Sequence, residues 1–298
     1  MRKRLLIVGC GDVGSRLVKQ LHLRYRIVAL IRDRTQAPVL RALGAVPLVA
    51  DLDDPRTLKR LVGLAQLVVY LAPPPLQGVK DSRTAHVIAT LGQYQRAPPL
   101  LERSLPQRLI YISTSGVYGN CAGEQVDETR TTQAQTARAQ RRVDAEAQWR
   151  EWGRLTGVTV SILRVPGIYA ADRLPLERLK RGLPAIRDEE DGFVNHVHAD
   201  DLARMIAVAL TRAQPGRIYH AVDDKPQKMG EYFDWVAKCY GLPLPPRVSR
   251  AEAQQRLSAV MLSFMGESRR LTNRRIKQEW GFRLRYPTVF DGIVPTQA

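Results

Sequence analysis

Arg4-Leu5-Leu6-Ile7-Val8-Gly9-Cys10-Gly11-Asp12-Val13-Gly14-Ser15-Arg16-Leu17 is the stretch whose reading decides the fold. Leu5 to Val8 form an unbroken apolar run, as expected of a strand buried on both faces. Val13, Leu17 and Leu21 then recur every four residues, the spacing of a helix with one apolar stripe. Between strand and helix lies G-x-G-x-x-G. Gly9 permits the tight turn, Gly11 lets backbone come close to a pyrophosphate, and Gly14 lets helix and strand pack closely, while the helix N-terminus adds positive potential. Three glycines alone would be a weak match. With a strand before and a helix after, they predict a dinucleotide site that includes Asp12 and Val13 of the same turn.

Working outward, the runs 26–31, 46–49, 67–71, 108–113 and 158–163 also read as strands, with helical segments between them such as the one in which Ala139, Val143 and Ala147 recur. This alternation predicts an α/β fold: a Rossmann-type, doubly wound parallel sheet with right-handed crossovers. After residue 166 the alternation becomes irregular, although 217–222 is strand-like and rejoins the sheet in this reading. The expected organisation is a dinucleotide-binding domain over 1–166, completed by about 195–222, with a small C-terminal cap from 167–194 and 223–298. Pro73-Pro74-Pro75, Pro98-Pro99 and the prolines of 243–246 read as loops.

The second strand selects the nucleotide. Its end reads Leu30-Ile31-Arg32-Asp33-Arg34, and Arg32 stands 18 residues after Gly14, near the position where an acidic residue holds the ribose 2′-hydroxyl of NAD. A guanidinium there pairs with a 2′-phosphate, so NADP is read ahead of NAD. A slip of one residue would instead make Asp33 the ribose ligand. Asp51, with Leu52 beside it after the third strand, either accepts from the adenine amino group or caps the helix beginning near Pro55.

The chain has 298 residues, with 46 Lys and Arg against 29 Asp and Glu, a net charge of +17, and only nine of the 46 are Lys. That balance favours anionic partners, here a small anionic substrate alongside the nucleotide. The arginines are spread along the chain without basic runs, which ranks nucleic acid behind the nucleotide and substrate. Cys10, Cys121 and Cys239 show no metal or redox spacing, and no metal site is expected. Reduced thiols and an N-terminal apolar run of only four residues fit a cytoplasmic protein with no membrane association. A homodimer is left open.

Further motifs carry a resemblance. Val69-Tyr70-Leu71-Ala72, Ser113-Thr114-Ser115-Gly116-Val117-Tyr118-Gly119, Leu163-Arg164-Val165-Pro166-Gly167-Ile168-Tyr169 and Asn195-His196-Val197-His198-Ala199-Asp200-Asp201 together resemble the short-chain dehydrogenase/reductase superfamily. The similarity is to its atypical or extended branch, of the NAD-dependent epimerase/dehydratase type. The resemblance implies that Leu71, Ala72 and Pro73 line the cofactor and that Arg164 lies near the nicotinamide or the cap. It implies that His198 and Asp201 brace the second half of the sheet, and that Arg269 and Arg270 fall where nucleotide-sugar phosphates are held. It also implies a catalytic hydroxyl four residues before Tyr118, which is Thr114, with Ser115 beside it.

The family's Tyr-x-x-x-Lys pair is absent. Alignment on Glu146 puts Arg142 where Lys is expected and Arg138 where Tyr is expected, and an arginine stays protonated, so neither reproduces a tyrosine's proton donation. Three readings follow. Arg138 and Arg142 form a cationic clamp in an unusual oxidoreductase, with the proton supplied by water or by Tyr118 or Tyr169. Alternatively the protein senses NADP without turnover, or the Arg-rich surface binds RNA on a Rossmann scaffold.

Overall fold

The computed structural model describes residues 2–93 and 105–295, so the expected Pro98-Pro99 loop lies outside the described residues. The chain forms two compact units, one from 1–114, 137–164 and 202–219, the other from 115–136, 165–201 and 220–298. The segment 115–136, which the sequence reading kept with the nucleotide domain, belongs to the second unit.

The first unit is built on β1 (Arg4–Val8), β2 (Arg26–Ile31), β3 (Val46–Val49), β4 (Leu67–Tyr70) and β5 (Arg108–Thr114). A seven-stranded sheet runs in the order Ile218–His220, Thr159–Val165, β5, β4, β1, β2, β3. The registers of β1 with β2 and β4, of β2 with β3 and of β4 with β5 are all parallel. Their interiors are apolar throughout because helices cover both faces, which removes any alternation. β1 is flanked by β2 and β4, so its carboxyl end, where the glycine turn begins, is the place where strand order reverses and ligands bind in such sheets.

Helices α1 (Asp12–Leu21), α2 (Ala37–Ala42), α3 (Ser82–Gly92) and α4 (Ala137–Thr156) lie in this unit, as does most of the helix Ala199–Arg212. In α4 the buried face is Ala139, Arg141, Ala145, Glu146, Trp149 and Trp152, not the expected stripe of Ala139, Val143 and Ala147. Two tryptophans set the rotation: Trp149 packs edge-on against Tyr70 at 5.6 Å between ring centroids and against Trp152 at 5.4 Å. The expected strand 217–222 is shorter, because Asp223 donates its N–H to the His196 carbonyl and draws the chain off the sheet.

The second unit has its own apolar core around Tyr169, Tyr232, Phe233, Val236 and Val248. Its strands are two or three residues long and pair locally, Gly167–Tyr169 with His196–His198 and Gln125–Val126 with Arg270–Leu271. Such short ladders supply few backbone hydrogen bonds, and buried polar side chains add to them. Asp201 accepts from the N–H groups of Arg285 and Tyr286, and Asn195 bridges the Arg269 carbonyl and the Leu271 N–H. Among the described residues no helix is long and apolar enough to cross a membrane.

Candidate cofactor and active site

In the first unit the glycine turn closes tightly: the N–H groups of Gly9 and Cys10 both donate to the Leu30 carbonyl, and Gly11 N–H donates to Gly9. Gly9 sits at φ +82°, and a Cβ there would lie 2.6 Å from the Ala72 Cα, so any side chain would be both strained and in collision. At Gly14 a Cβ would meet Cys10 Sγ at 2.9 Å, while at Gly11 it would meet nothing within 4 Å. Gly11 is also the N-cap of α1 and offers no capping side chain. Open space beside a helix N-terminus is the cradle a pyrophosphate requires, and these residues fit the cofactor the sequence predicts.

The nucleotide end of the sheet is rich in acids, and each is engaged within the protein. Asp33 caps the short helix Arg34–Gln36 by accepting from Thr35 N–H at 2.9 Å, a bond that holds its carboxyl below the ordinary range. Asp51 accepts from Asp53 N–H at 2.9 Å. The cap on the helix Pro55–Leu61 is Asp54, not Asp51, because only the residue directly before the helix can reach the N–H of Arg56. Leu52 is buried, and Arg32 is exposed. Arg83 on α3 forms a two-pronged pair with Asp53, Nε to Oδ1 at 2.8 Å and Nη2 to Oδ2 at 2.6 Å, and its Nη1 donates to the Pro73 and Pro74 carbonyls. Nothing in the local sequence signalled this pair, whose members are 30 residues apart.

The carboxyl end of β5 is organised around Glu146. Arg164 and Glu146 form a buried bidentate pair at 2.6 and 3.1 Å, and Ser113 Oγ donates to the same carboxylate at 2.5 Å. Arg164, expected near the nicotinamide or the cap, turns its guanidinium to Glu146 in the interior. Thr114 closes β5 half-exposed, one residue beyond the anchored Ser113, and Ser115 is buried at the start of the following turn. Arg142 Nη1 donates to Tyr111 Oη at 2.9 Å, to the Ile112 carbonyl at 3.1 Å and to the Ala72 carbonyl at 3.3 Å. Its Nε and Nη2 carry no hydrogen bond among the described residues. The structure therefore brings Arg142, Ala72 and the end of β5 together, whereas Arg138 lies exposed in the first turn of α4.

In the second unit Tyr118 and Tyr169 are nearly fully buried, and their hydroxyl protons are committed. Tyr118 donates to His220 Nε2 at 2.5 Å, since His220 Nδ1 is the nitrogen that donates to the Thr272 carbonyl at 2.9 Å. Tyr169 donates to the Thr288 carbonyl at 3.0 Å. Both hydroxyls, read from the sequence as candidate proton sources, are thus hydrogen-bonded within the second unit, Tyr118 with the Asp127 carbonyl also 3.3 Å away. His196 and His198 both pack edge-on against Tyr169, as the two-residue period of a strand dictates. Arg269 is paired with Glu267 at 2.7 Å and donates to the Gly119 carbonyl. Arg270 and Arg274 line a cleft of about 450 Å³ with Phe193, Asp223 and Asn273. Among the described residues no group of three or more His, Cys, Asp or Glu is placed to hold a metal ion.

Comparison with known proteins agrees with this architecture. The model of the NAD dependent epimerase/dehydratase family matches residues 5–222. A Schizosaccharomyces pombe protein described as uncharacterized is 25% identical, with 97% of this chain and 98% of that protein covered. A conserved protein of unknown function from Silicibacter pomeroyi is 28% identical in sequence, with a TM-score of 0.78 over 98% of this chain and 96% of its own. UDP-glucose 4-epimerase from Thermotoga maritima, solved with UDP-glucose, has a TM-score of 0.77 at 16% identity, covering 97% of this chain and 96% of its own, a likeness of fold.

Proposed function

From the premise that the chain belongs to the NAD dependent epimerase/dehydratase family and is an NAD(P)-binding, epimerase-like protein, we propose that it is an oxidoreductase preferring NADP and acting on a carbonyl or hydroxyl of a small anionic substrate. The observation that carries this reading is the glycine turn, in which Gly9 is packed on Ala72 while the space beside Gly11 is open. Gly11, Asp12, Val13 and Gly14 would hold the pyrophosphate, Leu71, Ala72 and Pro73 the neighbouring wall, Asp51 and Leu52 the adenine, and Arg32 the 2′-phosphate. When bound, the nicotinamide supplies a hydride donor or acceptor.

The chain's own residues supply the rest. Thr114 donates its hydroxyl proton to a substrate oxygen and stabilises negative charge there, held in place by the anchored Ser113, with Ser115 beside it. Arg142, fixed through Nη1, keeps Nε and Nη2 to hold a ribose hydroxyl or a substrate oxyanion. Arg138 contributes charge to the same clamp. Arg270 and Arg274 in the second unit's cleft support an anionic substrate such as a nucleotide sugar. A second reading, cofactor sensing without turnover, draws on the burial of Tyr118 and Tyr169, whose protons are committed elsewhere.

The test is a fluorescence titration with NADPH and NADH at near-physiological salt. Arg32→Ala is expected to weaken NADPH by about 10- to 100-fold, roughly 1 to 3 kcal/mol, and to leave NADH nearly unchanged. Equal loss for both dinucleotides would remove Arg32 as the 2′-phosphate reader. Thr114→Val separates the two readings: in an enzyme it abolishes substrate-dependent NADPH oxidation without changing binding.

A further inference from the structure

Asp33, Asp51, Asp53 and Asp54 gather just beyond β2 and β3, and each negative charge there opposes a second anion beside Arg32. Asp33 and Asp51 are held by backbone N–H groups of their own loops, and Asp54 by Arg56, two residues away. Asp53 is different, because its counter-charge comes from another element. The Arg83 side chain, 12% exposed on α3, grips both oxygens of a carboxylate that is 45% exposed, while its third nitrogen is fixed to the carbonyls of Pro73 and Pro74. The Arg83 hydrogen bonds, and to a smaller degree the charge of Arg32, hold this carboxyl below the ordinary carboxylate range. Arg83, anchored through its third nitrogen, is the guanidinium bonded to Asp53, and Arg32 is a further positive charge acting on the same carboxylate.

We propose that Arg83 is a specificity-determining residue: by occupying Asp53 it leaves the charge of Arg32 available to a nucleotide 2′-phosphate. This rests on the NADP reading above and deepens it. Without Arg83, Asp53 turns toward Arg32, quenches its charge and repels the incoming phosphate, so the site loses NADPH while NADH, which brings no 2′-phosphate, is little affected. The rigid fork suits the task, since both carboxylate oxygens are taken at once.

The experiment is a titration of the full-length protein with NADPH and NADH by cofactor fluorescence, for the wild type, Arg83→Met, Asp53→Asn, the double variant and Arg32→Ala. Arg83→Met is expected to weaken NADPH about tenfold and NADH less than twofold, and adding Asp53→Asn to it is expected to restore NADPH to within about twofold of wild type. Asp53→Asn alone, which leaves Arg83 on its proline carbonyls, is expected to keep the NADPH preference. A double variant as weak as Arg83→Met, or equal losses for both dinucleotides, would overturn the proposal and make Arg83 a strut between loops. If Arg32→Ala is selective but Arg83→Met changes nothing, the proposal alone fails. If the wild type shows no preference and Arg32→Ala weakens neither dinucleotide selectively, the NADP reading fails with it.

Discussion

The two units hold themselves together by different means. In the first, five to seven-residue strands such as β1, β2 and β5 give long parallel ladders, and apolar side chains fill the space between sheet and helices. In the second, two-residue strands leave the joining of segments to single buried polar side chains: Asp201 on Arg285 and Tyr286, Asn195 on Arg269 and Leu271, Asn273 on the Val222 and Asp223 carbonyls. A ladder spreads its energy over many small terms, and losing one methylene costs little. A buried carboxylate that serves two or three backbone donors concentrates it, and removing that group strands every donor at once.

The contrast is sharpest at Asp201, which is fully buried. Asp201→Ala is expected to destabilise the protein by about 3 to 5 kcal/mol, since the amides of Arg285 and Tyr286 lose their acceptor. Urea unfolding gives the size, and hydrogen exchange of 285 and 286 gives the location. Protection unchanged at those amides would break the comparison. The next effect is a pH dependence of the second unit. Burial lowers the His196 imidazole from 6.5 to about 4, so the folded state favours the neutral ring. Its contribution is complete above pH 6.5 and declines as the pH falls toward 4, by up to about 3 kcal/mol, because the unfolded chain takes up the proton first. Unfolding midpoints between pH 7 and 4 should fall less steeply for His196→Phe, which keeps a ring stacked on Tyr232. Parallel slopes would assign the acid sensitivity elsewhere. Ile110→Val, in the middle of β5, is the smallest of the three, at about 0.5 to 1.5 kcal/mol. A loss as large as that of Asp201→Ala would show that the ladder does not distribute its energy.

The same contrast explains what could be read in advance. The first unit's strands and its glycine turn were legible because apolar runs and periodicity are local properties that a buried parallel sheet imposes on every strand. The second unit's strands were legible only in part, since a strand of two residues has no period to recognise. In α4, pattern alone chose Val143 and Ala147 for the buried face, whereas the bulk of Trp149 and Trp152 and the charge of Glu146 decided it. Among the arginines, residue type said nothing of role: Arg32 is exposed, Arg164 is inside on Glu146, and Arg83 reaches back 30 residues to Asp53.

By itself the sequence determined the fold class, the place of the glycine turn and the absence of a Tyr-x-x-x-Lys pair, because each depends on neighbouring residues along the chain. Which acids are neutralised, which tyrosine protons are committed and which arginines keep donors to offer were decided only by tertiary structure. Those properties depend on which groups, distant in sequence, come within hydrogen-bonding distance, and burial then fixes the cost of parting them.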